Sequence, residues 1–586
     1  MCGIVGYGSL TKVDNQLIKN INNKQSHRGP DSQGLYISNC KKVSLAMSRL
    51  AILDINHGHQ PMTLNKEQLS IVFNGEIFNS SDIKNDIVQN FNDKFFSSHS
   101  DTEVILRLYK HKGVDSLKEL NGMFSFIIFD GKSDKLIFAR DRFGIKPLVF
   151  KKTRNSILIA SEVQAISNSF KNLKMNKNAI SEYINFGFIS APNTVYNDIH
   201  KLPHGNIGVF CLKTGKLSIS RWPGANINSN KIIKLPSTQI HKTIKHTFSN
   251  AVERWQQSDE DICYSLSGGK DATSIAAIAS KKKKIATFTV GYKNKYENWS
   301  EFQHAREISK LLKTDHTEIE VDLESYLDDL PKIISMFGEP FGGGLPSFNL
   351  FKEISKNFKV VMTGIGADEL FGNYLRSKRY NNFYKNNQNL TFNKKKYTDL
   401  IYLNSDKGFN TNLIGHYYHI NNNGHLNFNN NDNSIESQIC NFDLNTQLPY
   451  DFLHMSDILS MNFGVEARTP FLDLEFVKLI TSIPYSQRID LKNYKSLLVN
   501  SLGDDFPQVD LSGKKFGFSL PISFLMREIM RSTFDRLMKK KNFLKLKYFT
   551  NNFFDDVINN FLNGDNRFLE IIWRAFILQM WIQDEL

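Results

Sequence analysis

A cysteine directly follows the initiator methionine in the opening sequence Met1-Cys2-Gly3-Ile4-Val5. A small residue at position 2 favours removal of Met1, which would leave Cys2 with both a thiol and a free α-amine. The thiolate attacks acyl carbon atoms, and an amine with a pKa of about 8 can accept the thiol proton. The pair therefore indicates a nucleophile with its own base. A buried structural cysteine at the start of a strand is the alternative that these residues alone leave open.

A second candidate site lies in the sequence DICYSLSGGKDATS, from Asp261 to Ser274. Its pattern predicts a buried strand, a glycine turn and the start of a helix, which together direct backbone N–H groups at an anion. Gly268 and Gly269 allow the backbone to approach closely, because they have no Cβ. Ser267 can donate a hydroxyl hydrogen bond, and Asp271 offers a hard carboxylate to Mg²⁺. The turn lacks the GxxxxGK[ST] sequence of P-loop proteins, and alone it does not exclude a chance match.

The first hundred or so residues also hold the side-chain types that a glutamine site needs. Acyl transfer from glutamine requires a cation for the α-carboxylate, an anion for the α-amine and hydrogen-bond donors for the oxyanion. Arg49 precedes an apolar strand, and Asp101 lies just before a predicted helix over 104–112. Asn74 and Gly75 interrupt another strand and offer donors. With these residues beside it in the sequence, Cys2 is more consistent with catalysis than with a structural role.

Length and composition bound the class of protein. The chain has 586 residues, enough for two to four domains, and its 41% apolar content is typical of globular proteins. Its start lacks the basic and apolar runs of a signal peptide, and no stretch of about 18 apolar residues predicts a membrane span. Five widely spaced cysteines without a CxxC motif disfavour a zinc site or disulfide framework. We expect a cytoplasmic protein with no membrane partner.

The net charge of +14 would also suit a nucleic-acid-binding protein. The charges are dispersed, however, in a sequence rich in lysine and asparagine. The densest run, Lys281–Lys284, falls where the helix after the glycine turn should end, and cations there complement the helix dipole and face solvent. No nucleic-acid-binding motif accompanies the run, so we expect no nucleic-acid partner.

The second half of the chain alternates predicted strands and helices. Strands are predicted at 262–266, 285–290, 316–321 and 360–363, and helices at 238–257, 272–279, 301–312 and 323–337. This alternation predicts a parallel sheet with helices on both faces and ligands at the carboxyl ends of the strands. Ser267, Gly291 and Gly364 all fall at such ends, which favours the glycine turn as a nucleotide site.

The N-terminal motifs resemble the glutaminase domain of class II glutamine amidotransferases. The matching sequences are MCGIVG, HRGPD, SRLAILD, FNGEIFN, SDTEV, GMFSF and ARDRFGIKPL, in this order between residues 1 and 148. The resemblance implies an N-terminal-nucleophile hydrolase fold, an αββα sandwich of two antiparallel sheets between helix layers. It implies that Cys2 attacks the glutamine side-chain amide and that Asn74 and Gly75 form the oxyanion hole. The implied glutamine site comprises Arg49, Leu50, Ala51, Ile52, Leu53, Asn74, Gly75, Glu76 and Asp101.

The rest of the chain is similar to glutamine-dependent asparagine synthetases. The sequences FTVGY, EPFGG, MTGIGADELFGNY and VEARTPFLD carry this similarity, and SGGKD resembles the pyrophosphate loop of ATP pyrophosphatases. The resemblance implies a C-terminal α/β domain of the adenine-nucleotide α-hydrolase (Rossmann-like) type, with a helical C-terminal part. Its implied ATP site comprises Leu266, Ser267, Gly268, Gly269, Asp271, Thr273, Val290, Thr363, Gly364 and Lys495. Mg²⁺ would be held through pyrophosphate by Asp271 and Asp368.

These resemblances predict a glutaminase domain over 1–212, a linker over 213–237 and an ATP-dependent asparagine synthetase domain over 238–586. They imply that ATP, aspartate, glutamine and water become AMP, diphosphate, asparagine and glutamate. The reaction would pass through a β-aspartyl-AMP intermediate, with ammonia delivered from the glutaminase site. ATP as a substrate and Mg²⁺ are the expected cofactors, glutamine and aspartate are the expected small-molecule partners, and the sequence is compatible with a homodimer.

Departures from the family pattern leave the acceptor open. Ile365 stands where asparagine synthetases have a glutamate, and the glycines at 342–344 stand where many have polar residues. Amidation of another carboxylate, such as a sugar acid for a surface polysaccharide, therefore remains an alternative to aspartate. A non-catalytic homologue is disfavoured, because the candidate catalytic residues are all intact.

Other departures concern single positions. Ala272 replaces a hydroxyl residue of the glycine loop, which should cost on the order of 1 kcal/mol unless another donor substitutes for it. Lys270 replaces a leucine and is expected in solvent, with contact to a phosphate as the alternative. His204 replaces a proline and is expected to change only a turn. Asp457 is expected near the nucleotide end. The region 376–438 is predicted to be helices joined by flexible insertions, and the apolar stripe at 569–582 a packing helix.

Overall fold

The computed structural model describes residues 2–94, 96–227, 236–292, 294–372, 434–490, 493–509, 521–539 and 557–585. The predicted insertions at 376–438 lie almost wholly outside the described residues. Within the described ranges, the chain forms two antiparallel sheets followed by one parallel sheet.

The first half contributes all strands of the two antiparallel sheets. These strands are β1 (Cys2–Ser9), β2 (Ser32–Ile37), β3 (Val43–Arg49), β4 (Met62–Leu64), β5 (Leu69–Ile77), β6 (Gly122–Asp130), β7 (Lys135–Arg140), β8 (Val149–Lys152), β9 (Ser156–Ala160), β10 (Ile199–Lys201), β11 (Asn206–Cys211) and β12 (Leu217–Arg221). Its helices are α1 (Asn15–Lys24), α2 (Ser80–Phe91), α3 (Asp101–Lys112), α4 (Val163–Ser167) and α5 (Lys177–Phe186).

The two antiparallel sheets stack on each other between helices. Their strand orders are β10-β8-β9-β1-β3-β2 and β12-β11-β7-β6-β5-β4. Side chains alternate across β1, so Ile4 enters the core between the sheets while Val5 faces the core that includes α1. Helix α1 packs on β1 and β3, and α3 packs on β5 of the other sheet. This arrangement confirms the predicted αββα sandwich.

The second half forms a five-stranded parallel sheet with helices around it. Its strands are β13 (Ile262–Ser265), β14 (Ala286–Gly291), β15 (Asp315–Glu320), β16 (Val360–Met362) and β17 (Glu466–Arg468), in the order β15-β14-β13-β16-β17. The predicted parallel sheet is confirmed, and the four predicted strands end within one residue of the observed bounds. The sequence did not predict β17, which pairs with β16 at one edge.

Helices complete the second half. They are α6 (Ser237–Arg254), α7 (Lys270–Ala279), α8 (Phe302–Leu312), α9 (Tyr326–Phe337), α10 (Leu345–Ile354), α11 (Ala367–Phe371), α12 (Ile435–Asn445), α13 (Leu453–Met461), α14 (Leu474–Ser482), α15 (Tyr485–Arg488), α16 (Ser496–Leu502), α17 (Ile522–Phe524), α18 (Arg531–Leu537), α19 (Asn559–Leu562) and α20 (Leu569–Glu585). Helix α20 buries Trp573, Phe576 and Trp581, which confirms a packing role for this apolar stripe. In the part of the chain that the structure describes, no helix is both long and apolar enough to cross a membrane.

The segment predicted as a linker contains an ordered strand. Strand β12 lies inside 213–237 and pairs with β11 along its whole length. Trp222, which follows β12, is buried, and its indole Nε1 donates to the Arg140 carbonyl oxygen at 3.0 Å. The second antiparallel sheet therefore extends to at least Arg221.

Apolar residues of the two halves pack into common cores. Phe78, which follows β5, stacks on Trp255 after α6, with ring centroids 4.2 Å apart. Trp255 is fully buried, and its indole Nε1 donates to the Asp473 carboxylate at 3.1 Å. The two halves are thus joined through side chains that neither could bury alone.

Replacing this tryptophan tests the shared core. We expect Trp255→Ala to lower the free energy of unfolding by about 3–5 kcal/mol, because it leaves a cavity and removes the stack on Phe78. Urea unfolding followed by circular dichroism measures the change. The matched control is Trp299→Ala, since Trp299 is 38% exposed and should cost less than about 1 kcal/mol. Equal losses in the two variants would contradict a core shared between the halves.

Candidate active sites

The pairing of β1 with β3 places Cys2 directly opposite Arg49. Cys2 is buried, and its main-chain nitrogen donates to Asn74 Oδ1 at 2.9 Å. This bond places Asn74 of β5 next to Cys2. Burial raises the pKa of the Cys2 thiol, and a hydrogen bond from the Leu50 backbone N–H opposes that rise. The structure therefore brings together three residues that the sequence predicted for one site, and Gly75 follows Asn74 in β5.

Arg49 holds the segment that follows it. Its guanidinium donates to the carbonyl oxygens of Leu53, Asp54 and Ile55 at 2.8 to 3.1 Å. Because a guanidinium has five N–H donors, these three bonds leave two for another acceptor. Within this segment, Leu50, Ala51 and Ile52 are buried. The residues 49–53 thus form one wall of the Cys2 site.

Two carboxyl groups lie on the other side of the Cys2 site. Asp101 begins α3 behind its cap, Ser100, and accepts the Ile77 N–H at 2.9 Å. Burial raises the pKa of Asp101 to about 6, and burial together with the Asp101 charge raises the pKa of Glu76 well above its ordinary value. A bound cation would favour the ionised form of both groups. The two carboxyl groups are therefore suited to bind an ammonium group.

A buried network of charges connects Cys2 to the second half. Arg28 is fully buried and donates from Nε to the Cys2 carbonyl oxygen at 3.2 Å. Its two other nitrogens pair with Glu162 at 2.7 Å and with Asp457 of α13 at 2.8 Å. Burial alone would raise the pKa of Glu162, but the charges of His27 and Arg28 outweigh burial and lower it. Asp457 thus binds Arg28 of the N-terminal half, whereas the sequence predicts it near the nucleotide end.

A tight turn holds Lys146 next to this network. Asp141 accepts the backbone N–H groups of Phe143, Ile145 and Lys146 at 3.0 Å, and Arg140 donates to the Lys146 carbonyl oxygen at 2.7 Å. The Lys146 ammonium lies 3.4 Å from Asp457. The sequence ARDRFGIKPL therefore builds part of the contact between the halves.

The glycine loop lies at the carboxyl end of β13, as the sequence predicted. Leu266 donates its N–H to the Phe288 carbonyl oxygen at 2.8 Å, and α7 begins at Lys270. Gly268 has a φ of 76°, and a Cβ at this position would lie 2.7 Å from the Cβ of His304. Only glycine satisfies both conditions without strain. Val290 is buried near the end of the neighbouring strand β14.

The second loop packs on the first. Thr363 follows β16 and donates both its N–H and its hydroxyl to the Arg468 carbonyl oxygen, at 2.8 and 3.1 Å. A Cβ on Gly364 would lie 2.8 Å from the Cβ of Asp271, so the contact needs glycine. The Ile365 carbonyl oxygen accepts from the Thr469 hydroxyl, and the Ile365 side chain packs on an apolar core. Thr273 is fully buried in α7 and its hydroxyl has no hydrogen-bond partner among the described residues.

One lysine joins the two carboxylates that the sequence proposed for metal binding. The Lys495 ammonium lies 2.5 Å from a carboxylate oxygen of Asp271 and 2.5 Å from one of Asp368. Lys495 is buried and has a φ of 60° at the start of α16. Mg²⁺ is commonly bound by one or two carboxylates together with substrate phosphates. Asp271 and Asp368 present two such carboxylates at the point that Lys495 now occupies. The residues present fit that ion, although the described residues hold no cluster of three or more metal-ligating side chains.

Two departures from the family pattern make contacts that the sequence did not predict. Lys270 donates to the Tyr494 carbonyl oxygen at 2.7 Å and to Asn493 Oδ1 at 3.2 Å, so it holds the segment before Lys495. His204 is buried, and its two ring nitrogens lie 3.1 Å from the Tyr450 hydroxyl and 3.0 Å from Asn445 Oδ1. The predictions of a solvated Lys270 and of a turn-only role for His204 are therefore wrong.

Glu466 and Arg468 of β17 also lie beside the Cys2 site, and the sequence did not identify them. Arg468 is fully buried and donates from Nε to Glu466 at 2.5 Å. Its Nη2 lies 3.7 Å from an oxygen of Glu76. The available signal was the motif VEARTPFLD, in which Glu466 and Arg468 alternate with the apolar residues Val465 and Ala467.

Family models match both halves of the chain. A model described as a glutamine amidotransferase domain matches residues 1–223, and a model described as asparagine synthase matches residues 243–583. The two matches together leave little of the chain uncovered.

Individual relatives carry the same names. Asparagine synthetase [glutamine-hydrolyzing] 1 of Bacillus subtilis is 28% identical over 575 residues, which cover 90% of this chain and 88% of the relative. A putative asparagine synthetase [glutamine-hydrolyzing] 2 of Methanocaldococcus jannaschii is 32% identical over 404 residues, or 64% of this chain and 76% of the relative. Among solved structures, an allosteric regulatory enzyme of purine biosynthesis aligns with a TM-score of 0.30 at 17% identity, over 50% of this chain and 66% of that one.

Removing the shared lysine tests the pair of carboxylates. We expect Lys495→Met to lower the free energy of unfolding by about 3 kcal/mol, because it leaves two neighbouring carboxylates without their cation. Millimolar Mg²⁺ should restore part of the loss by binding to Asp271 and Asp368, and thermal unfolding with and without Mg²⁺ measures this. The matched control is Lys478→Met, whose exposed pair with Glu475 should contribute less than about 1 kcal/mol. A Lys495→Met variant whose melting temperature does not respond to Mg²⁺ would contradict a cation site.

Proposed function

Because this chain belongs to the asparagine synthase family, we propose that it is a glutamine-dependent asparagine synthetase. One observation carries the proposal: a single fold places β17 between the Cys2 site and the Asp271–Lys495 site, with Arg468 3.7 Å from Glu76 on one side and bonded to Thr363 on the other. In this proposal residues 1–212 form the glutaminase domain, 213–237 connect the domains and 238–586 form the synthetase domain. Strand β12 of the connecting segment completes the second antiparallel sheet.

The glutaminase half would release ammonia from glutamine. After loss of Met1, the free amine of Cys2 accepts the thiol proton, and the thiolate attacks the side-chain amide carbon. Ammonia leaves, and water then hydrolyses the thioester to glutamate. Asn74 and the Gly75 N–H would stabilise the oxyanion, while Arg49 and residues 50–53 bind the α-carboxylate end of glutamine. Asp101 and Glu76 would bind its α-ammonium, which agrees with their need for a cation.

The synthetase half would activate the acceptor with ATP. Leu266 and Val290 would contact adenine, the loop at 267–269 with its following helix would bind phosphate, and Thr363 and Gly364 would lie against the AMP part. A carboxylate oxygen of aspartate attacks the α-phosphorus, diphosphate leaves, and ammonia then displaces AMP from the acyl carbon. Lys495 would neutralise phosphate charge once phosphate oxygens compete with its two carboxylate partners for the ammonium group.

Mg²⁺ is the metal that this site would use, held by Asp271 and Asp368 together with the phosphates of ATP. When bound, the ion would neutralise charge on the departing diphosphate. Lys495 holds both carboxylates in the absence of the ion, and with Mg²⁺ bound there its ammonium would be available to the phosphates.

Ammonia would pass between the sites through the interior. Support comes from the buried polar groups at the contact between the halves, where Arg28, Lys146 and Asp457 lie beside Cys2. A cytoplasmic location agrees with the five cysteines, all of which are free thiols. The finer assignment of aspartate as acceptor rests on the family, since Ile365 replaces the usual glutamate.

An assay of diphosphate release with a panel of acceptors tests the proposal. Purified protein, ATP and Mg²⁺ are combined with aspartate, glutamate, glucuronate or galacturonate, and either glutamine or ammonium supplies nitrogen. We expect AMP and diphosphate to form in equal amounts with aspartate and not with the other acids. Turnover with a sugar acid and none with aspartate would overturn the assignment of the acceptor.

The same assay on Cys2→Ala separates the two half-reactions. Glutamine-supported amidation should fall at least about 100-fold because the nucleophile is lost, whereas ammonium-supported amidation should stay within about twofold. Cys40→Ala is the matched control, since Cys40 is an exposed thiol in the turn before β3, at the opposite end of that strand from Arg49. Equal loss with both nitrogen sources would contradict the division of labour between the two sites.

A further inference from the structure

We propose that Arg468 couples the glutamine site to the nucleotide site, so that occupation of either one strengthens binding at the other. The inference rests on the proposed function, because it takes glutamine and ATP as the two ligands. Arg468 has its guanidinium 3.7 Å from Glu76 of the glutamine site, and its carbonyl oxygen accepts hydrogen bonds from Thr363 of the nucleotide site.

On the glutamine side, the contact between Arg468 and Glu76 is incomplete. Arg468 Nη2 lies 3.7 Å from Glu76 Oε2, which is longer than a hydrogen bond. Both Arg468 Nη2 and Glu76 Oε1 are buried and lack a hydrogen-bond partner within the described ranges. Buried polar atoms without partners are costly, so a small movement that joins these two groups would be favourable.

On the nucleotide side, the Arg468 main chain fixes the second loop. Its carbonyl oxygen accepts the N–H and the hydroxyl of Thr363. Arg468 itself lies opposite Met362 in the pairing of β16 with β17. Gly364, the next residue, touches Asp271 of the glycine loop. A change in the position of Arg468 therefore reaches both loops through two contacts.

The remaining donors of Arg468 anchor the segment that leads into β13. Its Nη1 donates to the carbonyl oxygens of Trp255 and Gln257, at 2.8 and 2.6 Å. Its Nε donates to Glu466, which is also on β17. A planar guanidinium can bond on several sides at once, whereas a lysine ammonium is a compact point charge with different geometry. An arginine is thus suited to link β17, the segment 255–257 and Glu76 of β5.

The expected sign of the coupling is positive. The α-ammonium of glutamine, placed beside Asp101 and Glu76, favours the ionised form of Glu76. An ionised Glu76 attracts Arg468 and closes the 3.7 Å gap to a hydrogen bond. Thr363 is then held in one position, which lowers the entropy that nucleotide binding must remove. Coupling between binding sites is reciprocal, so nucleotide must strengthen glutamine binding by the same factor.

A binding experiment in the Cys2→Ala protein tests the coupling, since this variant can hold glutamine without hydrolysing it. Calorimetric titration measures the Kd of α,β-methylene-ATP with Mg²⁺, with and without saturating glutamine. We expect glutamine to tighten nucleotide binding by about fivefold or more, a usual size for coupling between sites. Nucleotide should tighten glutamine binding by the same factor in the reverse titration.

The variant Cys2→Ala/Arg468→Lys should bind each ligand alone but reduce the coupling to less than about twofold. The matched control is Cys2→Ala/Arg488→Lys, because Arg488 is also buried in the second half and donates to the Ile480 carbonyl oxygen instead. A merely structural role for Arg468 would alter stability without changing the coupling factor. Full coupling in the Arg468→Lys variant would overturn the proposal.

Hydrogen exchange supplies a test that needs no change at Arg468. In the Cys2→Ala protein, glutamine alone should slow exchange of the Thr363 amide about fivefold, since that amide donates to Arg468. An unchanged rate would overturn the proposal even if Arg468→Lys does not fold. Absence of glutamine or nucleotide binding would instead refute the proposed function, because each ligand is first titrated alone.

Discussion

A buried guanidinium needs partners on several sides, and this requirement determines how the two halves of the chain meet. Arg28 and Arg468 are both fully buried where the two halves meet. Arg28 draws Cys2, Glu162 and Asp457 together, and Arg468 draws the segment after α6 toward β17. Leaving either charge unpaired would be strongly destabilising. The charges therefore favour one arrangement of the halves, and the shared apolar core around Trp255 stabilises it.

Much of this fold follows from local patterns in the sequence. Alternating and continuous apolar runs predicted four of the five parallel strands, and the glycines predicted the turn after β13. Strand β17 escaped prediction because it has only three residues and two of them are charged. The partners of Arg468 include Trp255 and Gln257, more than 200 residues earlier in the chain, so no local pattern indicates a strand there. The αββα sandwich was predicted through a resemblance rather than from periodicity.

The residues of the candidate sites also divide into those that a local pattern predicts and those that it does not. The segment of Arg49 and the glycine loop are local features that the sequence displays directly. The contact of Lys495 with Asp271 joins residues 224 apart, and only the resemblance indicated it. Asp457, Lys270 and His204 were misjudged, because their partners come from distant segments that a linear pattern does not reveal. Long-range electrostatic pairing is thus the part of the site that required the structure.

Two positions that depart from the family pattern, Gly342 and Ile365, are supported by contacts with the rest of the second half. Trp573 of α20 donates from its indole Nε1 to the Gly342 carbonyl oxygen at 2.7 Å, and Ile365 packs on an apolar core. The C-terminal helix therefore supports the loop whose glycines depart from the family pattern. In the proposed function, nitrogen reaches the activated carboxylate through the buried interior.

Isotope transfer tests that delivery most directly. The protein is supplied with aspartate, ATP, Mg²⁺ and glutamine labelled with ¹⁵N in the side-chain amide, in the presence of excess unlabelled ammonium. If ammonia passes through the interior from Cys2 to the activated acceptor, nearly all of the early asparagine carries ¹⁵N. Asparagine with the isotope ratio of the bulk ammonium would contradict the account, because the nitrogen would then have entered from solvent.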